Sequence, residues 1–513
     1  MSIFPENKMV ILRRVSQVFF LCAFMYVLWS TTYPLTGSIP SDVFFVSDPH
    51  IVLLTAVAER MILPGTAVVL AMLFFTFIFG RFFCGWICPL GAAMDISSFF
   101  NKRKVLLKEK VNARIRKIKY FVLGISSIAA VLGVQIAWAT DPVVMTARFI
   151  SLSFIPAATL FLDRSFMFLV RDVGFYGKVY DIYRTLKSSV LGINAYFFGN
   201  TGMIVIFFAG IVLSAFFVSR LWCRTFCPLG AMYGLISKHS LLVRKASGCV
   251  SCGKCMTACR MESIKNPGDS YTKSECVLCM DCVYACPGEY TKFTFRDPFR
   301  SSVNNNPTNP TNSINSTNPK GLSRKDFILL LISSLFLSAF RWRKRNGSRA
   351  SVTRPPGALR ETEFVARCVR CGNCMKVCPT NVVQPAVLEA GLEGIWTPKM
   401  MFEIGYCEYN CTLCGQVCPT GALKKMPLKE KQKTPLGKAV VRKDRCLPWS
   451  RNENCLVCEE HCPVPDKAIK IDIINSGGIM IQRPVVDREL CIGCGICQNK
   501  CPVRPSRAIE VIT

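Results

Sequence analysis

Cysteines are the residues of this sequence whose number and spacing point to chemistry, with 29 cysteines and only three histidines in 513 residues. Two runs of the form C-x2-C-x2-C-x3-C lie close together in residues 249–286. In such runs, three closely spaced thiolates bind one iron–sulfur cube and the fourth binds the cube of the other run. The spacing predicts one [4Fe–4S] cluster at Cys249, Cys252, Cys255 and Cys286, and a second at Cys276, Cys279, Cys282 and Cys259.

A pair of zinc knuckles is the alternative for these eight cysteines. Zinc sites usually show two separated C-x2-C pairs or added histidines, which this stretch lacks. The histidines are His50, His239 and His461, and no C-x-x-C-H motif occurs, so the sequence predicts no c-type haem. So few histidines also argue against a bis-histidine haem in a membrane.

Four further cysteine quartets follow towards the C-terminus, and each ends in Cys-Pro, as bacterial ferredoxin runs do. They are Cys368, Cys371, Cys374 and Cys378; Cys407, Cys411, Cys414 and Cys418; Cys446, Cys455, Cys458 and Cys462; and Cys491, Cys494, Cys497 and Cys501. The regular first and fourth quartets flank two irregular ones, which suggests nested exchange of ligands, first with fourth and second with third. Exchange between adjacent quartets is the alternative. The prediction is six clusters from 24 cysteines.

Short β-prone segments at 439–441 and 468–473 separate the tail quartets. They predict α+β ferredoxin-like units around the clusters. No glycine loop for a nucleotide, nucleophile triad or molybdenum-cofactor signature accompanies them. The residues therefore indicate electron transfer rather than chemistry on a small soluble substrate.

The elements that position these clusters begin with an apolar region at residues 1–245. A bilayer requires roughly 20 apolar residues per helix. Four transmembrane helices are predicted at 9–29, 62–79, 120–138 and 202–218. The segment 149–162 is shorter and contains Pro156, which predicts an interfacial helix, with a fifth span as the alternative.

The loop at 101–119 carries nine Lys or Arg residues, which predicts that it is cytoplasmic. Residues 31–61 and 140–201 then face outward, and the first cluster pair lies in the cytoplasm. The formal net charge of +30 follows from this topology more simply than from nucleic-acid binding.

A repeat is centred on two Cys-x3-Cys-Pro-Leu-Gly-Ala motifs, which begin at Cys84 and Cys223. Within each copy, cysteines four apart share a face if the helix continues, whereas Pro89 and Pro228 predict a helix break. Two interpretations stay open. Either the cysteines of the repeat are small apolar residues that pack the helices together, or their four thiols converge as redox groups, metal ligands or part of a quinol site. The thiols concerned are Cys84, Cys88, Cys223 and Cys227.

A quinol site also requires ionisable groups at the membrane boundary. His50, Glu59, Asp42 and Asp48 are candidates in the outer segment before the second predicted span. Solvated loop residues are the alternative for each of them.

The remaining segments join these parts. Residues 299–321 are rich in Asn and Pro and predict a flexible linker. Residues 322–350 predict a twin-arginine-like signal, with Lys in the second arginine position, or a short anchor. An interfacial helix on the cytoplasmic face is the alternative. The predicted domains are 1–245 (membrane), 246–298 (two clusters), 299–321 (linker), 322–350 (signal or anchor) and 351–513 (four clusters).

Two resemblances to known families follow from these motifs. Residues 1 to about 295 resemble the NapH type of membrane quinol dehydrogenase component, through the paired cysteine motifs and two cluster runs. Residues from about 322 resemble the NapG and MauM ferredoxins, in which four cluster motifs follow a twin-arginine signal. The sequence from Arg354 to Leu359 and the run from Cys368 to Cys374 are close to that family's opening.

The resemblance implies a natural fusion that oxidises menaquinol or ubiquinol and delivers electrons to a reductase or small carrier. It would act as a component of a quinol dehydrogenase in a bacterial inner membrane, in contact with lipid and the quinone pool. The four-cluster tail would be periplasmic. Two alternatives are a ferredoxin acting in metalloenzyme maturation and a polyferredoxin with all six clusters in the cytoplasm.

Overall fold

The computed structural model describes residues 6–512, except 36, 38, 64, 102–108, 173, 175–176, 188–196, 269, 289, 296–351 and 477–478. The chain forms two compact units. Unit 1 comprises residues 1–24, 44–146 and 207–346, and unit 2 comprises residues 25–43, 147–206 and 347–513. The predicted linker 299–321 and the predicted signal or anchor at 322–350 lie outside the described residues.

Unit 1 is built mainly from helices, several of which are strongly apolar. Four helices, Glu6–Ser30, Val43–Val46, Pro142–Phe149 and Gly202–Phe217, contribute residues to both units. The other helices of unit 1 within the first 245 residues are Pro49–Glu59, Thr66–Phe79, Phe82–Trp86, Pro89–Phe99, Glu109–Val131, Leu221–Thr225 and Pro228–Ser237, with a 3-10 turn at Ala137–Ala139.

Two helices in the described part of the chain are long and apolar enough to cross a membrane, Lys8–Ser30 and Pro142–Arg171. Four spans were expected from the sequence, so that prediction is not supported. The helix Thr66–Phe79 has only 14 residues, because Gly65 and Gly80 adopt φ of 99° and 85° and bound it at both ends. The predicted fourth span forms a 16-residue helix, and the predicted third span overlaps the end of Glu109–Val131.

The predicted interfacial helix at 149–162 is instead part of a 30-residue helical segment, Pro142–Arg171. A π-helical turn at Ile150–Phe154 lies just before Pro156. The backbone N–H of Ile155 bonds to the carbonyl of Ile150. This wider turn accommodates the proline, which has no N–H to offer, so the helix continues past it.

The repeated cysteine motifs each contain the predicted helix break. Pro89 and Pro228 begin the helices Pro89–Phe99 and Pro228–Ser237, where a missing N–H carries no penalty. Cys84 and Cys223 lie in the short helices that precede them. The two cysteines of a motif therefore do not share one continuous helix.

The two-cluster region of unit 1 is a small α+β fold. Strand Leu242–Ala246 pairs antiparallel with strand Thr291–Phe295, with Leu242 opposite Phe295. Between them lie the helices Lys254–Ala258 and Asp281–Tyr284 and a 3-10 turn at Lys273–Glu275. A core of Cys255, Ile264 and Cys282 holds the region together.

The tail in unit 2 also has the α+β character expected from the sequence. Its antiparallel strand pairs are Val383–Pro385 with Pro398–Met400, Lys438–Val441 with Ile509–Ile512, and Ile469–Ser476 with Ile479–Val486. The predicted β segments at 439–441 and 468–473 are confirmed. The helices of unit 2 are Ile155–Arg171, Lys178–Leu186, Glu361–Arg367, Asn373–Lys376, Leu413–Gln416, Leu428–Lys431, Leu447–Ser450, Val457–Glu460 and Ile496–Lys500, with a 3-10 turn at Leu392–Gly394.

Candidate metal centres

A common backbone turn shapes the four regular cysteine runs. The second and fourth residues after the first cysteine adopt positive φ in every one of them. These residues are Ser251 and Gly253, Leu278 and Met280, Arg370 and Gly372, and Gly493 and Gly495. Alternation between right- and left-handed conformations turns successive N–H groups towards one point, which forms a concave anion site. The runs are therefore shaped to hold a negatively charged group.

The third cysteine of each quartet lies in a short helix. The helices are Lys254–Ala258, Asp281–Tyr284, Asn373–Lys376, Leu413–Gln416, Val457–Glu460 and Ile496–Lys500. Regular and irregular quartets share this arrangement. The irregular spacings of the second and third tail quartets thus change the loop before the helix and leave the helix itself in place.

Four small cavities, each of about 20 Å³, are each lined by four cysteines. In every case three cysteines come from one run and the fourth comes from the end of another. The sets are Cys276, Cys279, Cys282 and Cys259; Cys368, Cys371, Cys374 and Cys418; Cys446, Cys455, Cys458 and Cys501; and Cys491, Cys494, Cys497 and Cys462. Similar volumes and identical donors fit the same group in all four, and thiolates are the ligands of iron–sulfur cubes.

Two more groups of cysteines lie close together. Cys414 lies within electrostatic range of Cys407, Cys378 and Cys411. Cys255 likewise lies within electrostatic range of Cys249 and Cys252. Among the described residues, no group of three or more His, Cys, Asp or Glu side chains has the arrangement expected around a single metal ion.

The exchange of fourth cysteines in the tail is between adjacent quartets. Cys418 joins the first quartet and Cys378 joins the second; Cys501 joins the third and Cys462 joins the fourth. The nested exchange suggested by the sequence is therefore wrong. The strand pairs explain the arrangement of the last two quartets. Lys438–Val441 lies before the third quartet and pairs with Ile509–Ile512 after the fourth, which folds the two quartets onto each other.

The tail sets follow one another in a series. The backbone N–H of Cys407 donates a hydrogen bond to the carbonyl of Cys494 (2.8 Å), which joins the second set to the fourth. Cys374 lies in the helix Asn373–Lys376 and Cys378 follows its end, so this segment connects the first set to the second. Cys458 and Cys462, in and just after the helix Val457–Glu460, connect the third to the fourth in the same way. The order is therefore first, second, fourth, third, with a protein contact at every step.

Carboxylates paired with buried cations attach the two-cluster region to the helices of unit 1. Glu275, next to Cys276, accepts hydrogen bonds from Lys119 Nζ (2.6 Å to each oxygen) and Arg81 Nη1 (3.2 Å). Glu262 accepts from both terminal nitrogens of Arg224 (2.9 and 2.6 Å). Burial opposes ionisation of Glu275, but the charges of Lys119 and Arg81 hold its pKa below the usual value.

In unit 2, the tail packs mainly through apolar side chains and backbone carbonyls. Leu152, Phe198 and Ile204 share a core with residues around the first two tail quartets. Lys376, between two cysteines of the first quartet, donates to the carbonyls of Leu28 and Trp29. Burial alone lowers the pKa of Lys376 to about 7.

Comparisons with known proteins identify the chemistry of these cysteines. Models of 4Fe-4S binding domains match residues 62–107 with 200–248, and residues 484–505, and a 4Fe-4S dicluster model matches residues 367–422. The methylamine utilization ferredoxin-type protein MauM of Methylorubrum extorquens is 33% identical over 38% of this chain and 90% of its own length. The chain belongs to the MauM/NapG ferredoxin-type family.

The ferredoxin-type protein NapG of Escherichia coli is 35% identical over 31% of this chain and 69% of its own length. An uncharacterized protein of Methanocaldococcus jannaschii is 26% identical over 58% of this chain and its whole length. No solved structure matches. This MauM/NapG-type chain is thus an iron–sulfur electron-transfer protein, and the NapH-type half rests on the resemblance alone.

The repeat of this MauM/NapG-type chain brings its four thiols together in the interior of unit 1. Cys84, Cys88, Cys223 and Cys227 are at most 7% exposed, and Cys227 lies within electrostatic range of the other three. Cys227 also caps its helix, since its Sγ accepts from Gly230 N (3.2 Å). The convergence of the thiols fits the second interpretation of the repeat, and Cys227 has in addition a structural role.

The two copies of the repeat pack reciprocally through arginine and glycine. A Cβ on Gly230 would lie 2.7 Å from Arg81 Nη2, and one on Gly91 would lie 3.6 Å from Arg220 Nη2. Arg220 also donates to both oxygens of Asp95 (2.8 and 2.7 Å). Each motif's arginine thus lies over the other motif's glycine, which explains why both residues are repeated.

The histidine and acidic candidates for a quinol site occupy several environments. Asp48 and His50 are fully buried, so a solvated loop is the wrong interpretation for them. Asp48 caps the helix Pro49–Glu59, and His50 Nδ1 lies 3.1 Å from Asp141 Oδ2. Burial and the charge of Asp141 raise the pKa of Asp48. Glu59 and Asp42 are half-buried.

Sequence reasoning missed the carboxylates that hold the two-cluster region, although their positions gave a signal. Glu275 directly precedes Cys276, Asp281 directly precedes Cys282, and Glu262 follows Cys259 by three residues. Acidic residues so close to cluster ligands add negative charge where a cluster is already anionic. Such placement is favourable only when cations of another segment face them, which is what the structure shows.

Proposed function

We propose that this chain carries electrons from quinol, through six [4Fe–4S] clusters, to a reductase or small electron carrier. The observation that supports it most directly is the serial order of the tail cysteine sets. When bound, such clusters accept and release one electron at a time. A series of them suits conduction over distance, and a single catalytic centre would need no such series.

The proposed ligands are the 24 cysteines of the six quartets. In unit 1 they are Cys249, Cys252, Cys255 and Cys286, and Cys276, Cys279, Cys282 and Cys259. In the tail they are Cys368, Cys371, Cys374 and Cys418; Cys407, Cys411, Cys414 and Cys378; Cys446, Cys455, Cys458 and Cys501; and Cys491, Cys494, Cys497 and Cys462.

The residues around the proposed ligands exclude water and supply backbone donors. Nine of the 16 tail cysteines are buried. N–H groups donate directly to some of the sulfurs, as from Leu423 to Cys418 and from Ala439 to Cys491 (both 3.4 Å). Hydrogen bonds to sulfur and burial are two of the means by which a protein sets a cluster's reduction potential.

Contacts within each unit support opposite compartments for the two cluster regions. Near the start of the candidate span Lys8–Ser30, Arg13 donates to Asp281 of the two-cluster region (3.3 Å). Near its end, Leu28 and Trp29 accept hydrogen bonds from Lys376 of the tail. We propose that this helix crosses the inner membrane, with the two-cluster region in the cytoplasm and the tail in the periplasm.

Anaerobic reduction by quinol tests the proposed function. Full-length protein in lipid nanodiscs is mixed with a soluble menaquinol or ubiquinol analogue, and bleaching of the iron–sulfur absorbance is followed. Cys259→Ser should lower the bound iron and slow the bleaching, whereas Cys22→Ser, which changes an exposed cysteine outside the quartets, should alter neither. Full iron content without reduction by quinol would contradict the proposed donor and favour the maturation alternative.

Protease digestion of intact spheroplasts tests the sidedness. A tag placed after Thr513 should be digested without lysis if the tail is periplasmic. A tag that is protected until lysis would place all the clusters in the cytoplasm and require an acceptor inside the cell.

A further inference from the structure

A cavity in unit 1 lies against the set formed by Cys276, Cys279, Cys282 and Cys259. Its volume is about 700 Å³, within the range of small-molecule sites. The helices Glu6–Ser30 and Pro89–Phe99 form two of its walls, and the segment from Thr257 to Glu262 forms a third. Cys259 lines both this cavity and the cavity of its own cysteine set. A ligand here would therefore be separated from that set by one side chain.

One end of the cavity carries hydrogen-bond donors that the protein leaves open. Arg13 is fully buried, and its Nε and Nη1 have no hydrogen-bond partner among the described residues. Asp95 is already occupied, because it accepts from Gln17 (2.8 Å) and Arg220 and contacts Arg260 (3.1 Å). The available donors thus belong to Arg13, and buried donors without partners are costly unless a ligand accepts from them.

The other end of the cavity is apolar and open. Val18, Ile96, Phe99 and Phe100 line it, and they are 57%, 48%, 74% and 74% exposed. Large apolar side chains this exposed suit a lipid environment rather than water. A ligand with a polar head and a long apolar tail would match both ends.

We propose that this cavity binds quinol, with a ring oxygen accepting a hydrogen bond from Arg13 and the isoprenoid tail lying along Val18 and Phe99. The inference rests on the proposed function and gives it a location. Quinol loses two electrons and two protons and becomes quinone. The electrons would pass singly to an iron–sulfur group held by Cys259, Cys276, Cys279 and Cys282, and the protons would pass to water at the mouth, where Arg14 and Thr257 are exposed.

A phospholipid head group is the alternative occupant. Its phosphate would face Arg13, Arg14 and Arg260 as well as the carboxylates of Asp95 and Glu262, which also line the cavity. The position of Cys259 between this cavity and its own cysteine set favours a redox-active ligand over a lipid. The earlier candidates His50, Glu59, Cys84, Cys88, Cys223 and Cys227 do not line this cavity.

A matched pair of valines tests the site in the full-length protein. Val18 and Val15 lie on the same helix and are 57% and 58% exposed, but only Val18 lines the cavity. Val18→Trp fills the cavity from its open side, and Val15→Trp places the same bulk on the helix outside the cavity. Neither change disturbs a buried residue, so both variants should fold and retain their iron.

Binding is measured in lipid nanodiscs with an alkyl hydroxyquinoline N-oxide, a fluorescent quinol analogue that is not oxidised. Val18→Trp should raise its dissociation constant by about tenfold or more, as expected when a bulky side chain occupies a pocket. Val15→Trp should leave the dissociation constant within about twofold of the wild-type value. A photoreactive azidoquinone should label the helices Glu6–Ser30 and Pro89–Phe99.

The outcomes separate this inference from the proposed function. Equal binding by both variants, or labelling elsewhere, overturns the site even if quinol reduces the clusters. Binding that is lost in Val18→Trp supports the site, even if quinol fails to reduce the clusters and the proposed function fails. Co-purified phospholipid that is lost in Val18→Trp, with no binding of the analogue, overturns it in favour of a lipid site.

Discussion

The two cluster regions share their local turn and differ in how each is held. In unit 1, the carboxylates of Glu275 and Glu262 lie beside cluster cysteines and pair with buried cations of the helices. In unit 2, the tail packs against Leu152, Phe198 and Ile204, and its buried Lys376 donates to backbone carbonyls. The cysteine turn is thus the same in different surroundings. The cluster region of unit 1 is held by charge pairs, and that of unit 2 is held by apolar packing.

The largest expected effect comes from removing a buried charge in unit 1. Glu275→Gln leaves Lys119 and Arg81 buried without their counter-charge. Loss of one partner of a buried ion pair costs about 3–5 kcal/mol. We expect a lower free energy of unfolding for the two-cluster region, measured by denaturant titration in detergent and followed by its iron–sulfur absorbance.

Glu109→Gln is the matched control for this prediction. The Glu109 side chain is 75% exposed and lies 3.4 Å from Lys265, so the pair is a surface ion pair worth about 0–1 kcal/mol. Added salt should reduce the stability loss of Glu109→Gln more than that of Glu275→Gln, because salt screens exposed charges far more than buried ones. Equal losses of stability in the two variants would show that the Glu275 pairs do not hold the region.

The turn around the cysteines was only partly readable in the sequence. Gly253, Gly372, Gly493 and Gly495 occupy left-handed positions, where glycine carries no steric penalty. The equivalent positions in the other runs hold Ser251, Leu278, Met280 and Arg370, so residue type alone gives no signal there. Cysteine spacing predicted the quartets but not their partners, because exchange depends on strand pairing far along the chain.

The prediction of four transmembrane helices is not supported, for a different reason. Hydropathy identifies apolar segments but does not show where a helix ends. Gly65 and Gly80 stop one helix at 14 residues, and a π turn allows another to continue past Pro156. The buried ion pairs of Glu275 and Asp95 join segments far apart in sequence, and a single sequence contains no signal for such pairs.

A comparison of two Gly→Ala substitutions separates the backbone strain of the turn from the packing around it. Gly495 and Gly253 occupy equivalent positions, with φ of 77° and 72°. A Cβ on Gly495 would lie 1.9 Å from the Phe402 ring, whereas a Cβ on Gly253 would meet nothing within 4 Å. Both alanine variants carry the strain of a left-handed residue, about 1–2 kcal/mol. Gly495→Ala should cost about 1–3 kcal/mol more, from overpacking.

The measurement is the loss of iron–sulfur absorbance during thermal unfolding of each variant. Gly495→Ala should release iron from the tail at a lower temperature than the wild type, with a smaller shift for Gly253→Ala in the two-cluster region. Similar shifts would mean that Phe402 moves aside easily and that the contact between the second and fourth tail sets is loose.

The smallest expected effect tests the apolar attachment in unit 2. Ile204 and Ile206 lie two residues apart on the helix Gly202–Phe217 and are 4% and 75% exposed. Ile204 packs in the core that contains Met375, Val382 and Phe402 of the tail. Ile204→Val removes one buried methylene and should lower the free energy of unfolding by about 0.5–1.5 kcal/mol, whereas Ile206→Val should change it by less than about 0.5 kcal/mol.

Because no charge is involved, added salt should not reduce the stability loss of Ile204→Val, in contrast to the exposed pair of Glu109 in unit 1. Denaturant titration of both variants at low and high salt measures this difference, and a cost for Ile204→Val that falls with salt would show that charge also holds the tail.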